Sequence, residues 1–217
     1  MKKIERVKLI IKRLEEIYPK TPIPLNHKNG FTLLVAVVLS AQSTDKKVNE
    51  LTKELFKVAS SAEDMHKLGE VSIYNYIKQL GLAKTKAKNT YNLSKIISSK
   101  YNNKIPNTFE ELESLPGVGH KTASVVMSQV FGVATFPVDT HIHRLSQRWG
   151  LTSGKSVNQT EKDLKKLFPK YLWNKLHLQI IFYGREYCSA RGCNGTICKL
   201  CKELYPSRTK PFICLKA

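Results

Sequence analysis

Apolar residues recur at three- to four-residue spacing along most of this chain, with no run of alternating strand-like segments, and that periodicity confines the fold to packed helices. Ile4, Val7, Ile10, Leu14 and Ile17 form the first stripe, which stops at Pro19. Pro19, Pro22 and Pro24 then make a rigid, non-helical entry to the next segment. Residues 31–39 are strongly apolar and read as a buried helix or strand, too short to span a bilayer. Asp45 is placed to cap a helix carrying Val48, Leu51, Leu55 and Phe56. A helix over 85–99 follows, with Ala87, Tyr91, Leu93 and Ile97 inward. Its exposed face is assigned Lys84, Lys86, Lys88, Lys95 and Lys100, a series that no acid interrupts. Capping-box patterns at Thr108 to Glu111 and Ser156 to Gln159 mark two more helix starts. Further helices are predicted over 122–131, 141–149, 157–168 and 171–186. After Tyr187 the chain turns to Cys, Gly, Lys and Pro, so this tail must be held by something other than a packed core.

Charge narrows the partner. Lys and Arg number 36 against 17 Asp and Glu, a net +19 over 217 residues of which 41% are apolar. Such an excess opposes compaction through self-repulsion, and it is suited to an anionic partner, nucleic acid before an anionic membrane surface. The apolar fraction is enough for a buried core, which excludes wholesale disorder. The mixed charges of Met1-Lys-Lys-Ile-Glu-Arg contain no signal-peptide core, so a soluble cytoplasmic protein is expected.

Two segments carry chemistry. In Leu115-Pro-Gly-Val-Gly-His-Lys-Thr-Ala123, Gly117 and Gly119 permit a tight turn between two helices and close backbone approach. The second helix begins near Gly119, so its N–H groups and positive dipole end leave the turn as a phosphate site. A plain helical hairpin would have the same glycines. Lys121 is out of place there, since a cation in a first turn opposes the macrodipole. It either meets a phosphate or serves as an amine nucleophile. The second segment is Val138-Asp-Thr-His-Ile-His-Arg144, where Asp139 is placed as an N-cap and also as a carboxylate able to assist an amine.

These two blocks, with Leu39-Ser-Ala-Gln-Ser-Thr-Asp45, closely resemble the endonuclease III family of DNA repair glycosylases, collinearly over about 4–187. The resemblance implies a mainly α fold in which two helical lobes flank a DNA-binding cleft, with a helix-hairpin-helix element and a Cys-rich C-terminal tail. One lobe would comprise 23–131 and the other 1–22 with 132–217, its tail at 188–217. By the same resemblance Lys121 is the nucleophile and Asp139 the second essential residue of a bifunctional enzyme. That enzyme removes damaged pyrimidines from duplex DNA through a lysine Schiff base and cleaves the strand by β-elimination. Gln42 matches the side chain that fills the gap left by an extruded nucleotide, against a plain helix-end role. Leu82, in Gly81-Leu-Ala-Lys84, matches a wedge between bases, against core packing. Gly117, Gly119, His120 and Lys84 are further implied DNA contacts, and His141 a structural neighbour of the aspartate. His120 stands where relatives often carry a more basic residue. The implied partner is double-stranded DNA with damaged bases or abasic sites, bound by a monomer at the nucleoid. Alternatives are a monofunctional adenine-mismatch glycosylase and a non-catalytic helix-hairpin-helix module. The first normally lacks the lysine and carries a large C-terminal domain, whereas this chain ends at Ala217.

All five cysteines, Cys188, Cys193, Cys198, Cys201 and Cys214, lie in the tail, a clustering that in the cytoplasm argues for metal over disulfides. No histidine follows His177, so the site is all-thiolate, compatible with zinc or an iron–sulfur cluster. The family carries a [4Fe–4S] cluster at this place. Of the family's ligand spacing only the Cys198-x2-Cys201 pair is kept; nine residues separate Cys188 from Cys198 and twelve separate Cys201 from Cys214. Cys188, Cys198 and Cys201 are therefore candidate ligands with either Cys193 or Cys214 as the fourth, and loss of the cluster is the third possibility.

Overall fold

A computed structural model describes residues 1–216, and among them it contains helices and loops with no strand. The chain divides into two compact units, Ile23–Val133 and Met1–Pro22 with Ala134–Ala217.

The first unit is built around α2 (Gly30–Ser40), in which every residue from Phe31 to Leu39 is buried. A helix apolar on all sides can only be a core element, and α3 (Asp45–Val58), α6 (Ala83–Lys100) and α8 (His120–Phe131) pack around it. Asn29 starts α2 by accepting from the Thr32 N–H at 2.9 Å. The cap of α3 is Thr44, whose hydroxyl accepts from Lys47 N–H; Asp45 instead occupies the first helical turn, where its charge favours the dipole. Two short helices that the periodicity left unmarked, α4 (Ala62–Leu68) and α5 (Glu70–Ile77), pack on α6. A second departure is Lys86. It is buried, at 4% exposure, and does not belong to the solvated lysine face of α6. The short α7 (Phe109–Glu113) leads into α8.

In the second unit, α1 (Lys3–Ile17), α9 (Thr140–Arg148), α10 (Val157–Leu167) and α11 (Trp173–Glu186) enclose a core with Trp149, Tyr183 and Phe136 fully buried. Ser156 caps α10 through Gln159 N–H, as the sequence pattern requires. The tail contains one further helix, α12 (Lys199–Leu204), packed on α1. No helix among the described residues is long and apolar enough to cross a membrane.

Candidate active site and thiol cluster

The glycine turn joins α7 to α8. Thr108 caps α7 by accepting from Glu111 N–H at 3.2 Å, and Val118 N–H donates to Leu115 O at 3.1 Å to close the turn. Leu115 and Val118 are buried and anchor it from below. Gly117 has φ +79°, a conformation that favours glycine, and a Cβ there would lie 2.8 Å from Asn89 Nδ2 on α6, so that side chain would have to shift. Gly119 is different: its backbone is extended, and a Cβ would meet nothing. It is the N-cap of α8 and makes no side-chain cap, and no acid stands in the first turn. The positive end of α8 is thus turned outward, with His120 and Lys121 exposed upon it. His120 Nδ1 lies 2.8 Å from Glu113 Oε1, and its ring stacks on Phe109, so this imidazole is already engaged within the hairpin.

Asp139 caps α9, its Oδ1 accepting from Ile142 N–H at 2.8 Å. The buried Phe136 and Val138 precede it, so the carboxylate is fixed from both sides in a half-buried position. His141 packs against Gly184, where a Cβ would stand 3.2 Å from the imidazole Nδ1. Burial holds the His141 imidazole below its ordinary range, against the opposing pull of Asp139. Arg144 ties this region to the tail by donating to Gly184 O and Cys188 O, each at 3.1 Å.

Gln42 and Leu82 lie on neighbouring loops of the first unit. Both have left-handed backbones, at φ 54° and φ 58°, which side chains other than glycine and asparagine rarely adopt. A Cβ at Gly81 would stand 3.8 Å from Gln42 O, which places the loops in contact. Leu82 is 59% exposed, so it is not a core residue. Lys84 points to solvent beyond it.

The structure brings Cys188, Cys193, Cys198 and Cys201 together, all buried, with their Sγ atoms within 4.8 Å of one another. Cys188 and Cys201 are 3.9 Å apart. Cys214 stands outside the group, with its Sγ 3.6 Å from Arg144 O. Between the two candidates for a fourth thiol, the geometry selects Cys193. Two N–H donors face the sulfurs: Arg148 Nη1 donates to Cys188 Sγ at 3.2 Å, and Cys198 N–H donates to Cys193 Sγ at 3.4 Å. Soft, buried, convergent thiolates with N–H donors are a donor set for zinc or iron and sulfide. Arg148 also donates to Ser189 O at 2.9 Å and Ala190 O at 3.2 Å, so one buried guanidinium holds the start of the tail. Neither Arg148 nor Lys86 has a sequence signal that distinguishes it from a surface cation.

Residues 35–170 match the model of the HhH-GPD superfamily, base excision DNA repair proteins. Endonuclease III of Rickettsia felis is 43% identical over 94% of this chain and 97% of its own length. The enzyme of the same name from Bacillus subtilis is 40% identical over 94% of each chain. Among solved structures, a non-covalent endonuclease III–DNA complex matches with a TM-score of 0.87 and 38% identity, covering 92% of this chain and 94% of that one. A thermostable thymine-DNA glycosylase, at 22% identity and a TM-score of 0.78, shares the fold.

Proposed function

The chain belongs to the HhH-GPD superfamily of base excision DNA repair proteins, as a DNA glycosylase of the endonuclease III family within it, and on that footing we propose that it is bifunctional, excising damaged pyrimidines and cutting the strand through a lysine Schiff base. The observation that carries this reading is Lys121, an exposed amine in the first turn of α8, where a helix otherwise favours an acid.

The damaged nucleotide leaves the stack, at a cost of a few kcal/mol that is least for lesions. Exposed Gln42 fills the gap it leaves, exposed Leu82 wedges between bases, and the uncapped end of α8 with Lys84 binds phosphates. The uncharged Lys121 amine forms a bond to C1′ as the glycosidic C–N bond breaks, and the base departs with the electron pair and takes up a proton. Asp139 accepts the amine's proton and stabilises the positive charge that develops on the sugar. The C1′–O4′ bond then breaks as O4′ takes up a proton, leaving a protonated imine that acidifies the C2′ proton. Loss of that proton breaks the C3′–O bond and expels the downstream strand with its 5′ phosphate, after which water frees Lys121. The aspartate's cap on α9 holds it in place for that proton transfer.

Cys188, Cys193, Cys198 and Cys201 would hold a [4Fe–4S] cluster, supported by the convergence of four buried thiols and the N–H donors around them. The cluster would supply cross-linking of a tail with little core of its own, and no step of the excision passes through it.

Borohydride trapping on a duplex containing thymine glycol or an abasic site tests the reaction. A covalent complex is expected from the wild type and none from Lys121→Ala, while both still bind the duplex. Binding without any adduct in the wild type would falsify the lyase assignment. Iron and acid-labile sulfide in stoichiometric amounts, with visible absorption, are expected of the purified protein; a colourless zinc protein overturns the cluster.

A further inference from the structure

Lys86 is the one lysine of the 84–100 series that the fold withdraws from water. Burying an ammonium is expensive, and a methionine would fill the same space on α6 at no such cost. Among the described residues its hydrogen bond is to a neutral hydroxyl, Ser43 Oγ at 2.8 Å, and not to a carboxylate. Burial accordingly holds the amine below its ordinary range. Some return is expected for a charge kept under those conditions, and its position suggests which.

Ser43 follows Gln42 directly, in the turn closed by Ser43 N–H donating to Ser40 O at 3.0 Å. On the other side, Lys86 N–H donates to Leu82 O at 3.0 Å. That second bond is the first i→i−4 bond of α6, made whatever the side chain, so it is the Lys86 ammonium that ties the Gln42 loop to the helix turn that begins at Leu82. Each loop contains a left-handed backbone at the residue in question, a conformation that persists only where its surroundings hold it. One turn further along α6, Asn89 fills the space above Gly117 in the catalytic hairpin. The same face of one helix thus supports the two loops and the turn that leads to Lys121.

We propose that Lys86 is a positioning residue that, through Ser43, locks the Gln42 loop against the Leu82 loop so that both side chains enter the duplex as a pre-formed pair. This rests on the reading that Gln42 and Leu82 enter the DNA. A charge-assisted bond is stronger than a neutral one, and pre-forming two strained loops removes an ordering cost from binding at a lesion.

The full-length protein is bound to a duplex containing a tetrahydrofuran abasic analogue with 2-aminopurine beside it, whose fluorescence rises on unstacking. Gln42→Ala is the control for the underlying reading and should reduce both the fluorescence rise and lesion affinity. Lys86→Met and Ser43→Ala should each weaken lesion binding about tenfold and blunt the rise, with undamaged-duplex affinity unchanged. The double variant should be no worse than either single one, because both remove the same bond. Thermal stability of Lys86→Met should match or exceed the wild type, since a buried charge has been removed; a merely structural lysine would lower it. Normal lesion binding and fluorescence in Lys86→Met and Ser43→Ala, alongside a defective Gln42→Ala, overturn the proposal alone. A normal Gln42→Ala overturns the underlying reading and the proposal with it. Should Lys86→Met fold poorly, Ser43→Ala decides by the same criteria.

Discussion

Asp139 holds a helix end and, in the proposed reaction, a proton, and substitution can separate the two. Asparagine caps a helix about as well as aspartate, so Asp139→Asn should leave stability within about 0.5 kcal/mol of wild type. Its excision rate should nonetheless fall by about 100-fold or more, because an amide cannot take the proton. Asp139→Ala should lose the same activity and about 1 kcal/mol of stability besides. Single-turnover excision beside chemical denaturation checks both. Equal destabilisation of the two variants would mean that the cap seen at Ile142 contributes nothing. Much of the candidate site is also legible locally in the sequence. Lys121 and Asp139 are notable in their own neighbourhoods, one an unfavourable charge at a helix start and the other a capping side chain. Both conditions are set within a few positions along the chain.

At the scale of elements, the hairpin depends on one glycine more than the other. Gly117→Ala has to adopt φ +79° and push aside Asn89, and should cost about 1–2 kcal/mol for the backbone alone. Gly119→Ala meets open space with an extended backbone and should cost less, about 0.5 kcal/mol for the poorer N-cap. Urea midpoints of the two variants distinguish them, and reversed effects would refute the turn geometry. The sequence marks both glycines without ranking them, since the rank depends on Asn89, 28 positions earlier on another helix. Similar reasons hid α4 and α5, whose short lengths contain too few turns to show a period and whose stability comes from packing on α6. The tail's first segment hangs on Arg148 in the same way. Arg148→Met would leave the carbonyls of Cys188, Ser189 and Ala190 without that donor, and a loss of about 3 kcal/mol is expected in denaturant melts.

For the whole molecule, net charge and the thiol group set the two expectations. If DNA binding rests on phosphates and not on bases, a protein of charge +19 should lose affinity steeply with salt. In the log–log plot of affinity against salt, Lys84→Ala should reduce the slope by about 1 and weaken damaged and undamaged duplexes alike. A selective loss at the lesion would place Lys84 with the intruding loops instead. Cys193→Ser should release the metal and loosen the tail, whereas Cys214→Ser should retain metal at wild-type stoichiometry; metal analysis on the two purified variants reads this directly. Matching losses from both would return Cys214 to the ligand set.

The helical class, the hairpin with its lysine, the capping aspartate and the clustering of the thiols are all written in the linear order of residues. Those features are local: periodicity, capping and turn chemistry act over a few neighbouring residues, so a linear reading has access to them. The tertiary structure alone decided that Cys193 joins the thiol group and Cys214 does not, because the linear spacing allowed both. It also turned Leu82 outward and Lys86 inward, against the helical pattern in which the first could be core and the second was surface. Those outcomes depend on what a distant segment places opposite each side chain. For Lys86 that is Ser43, from a loop 43 positions earlier, and no periodicity encodes it.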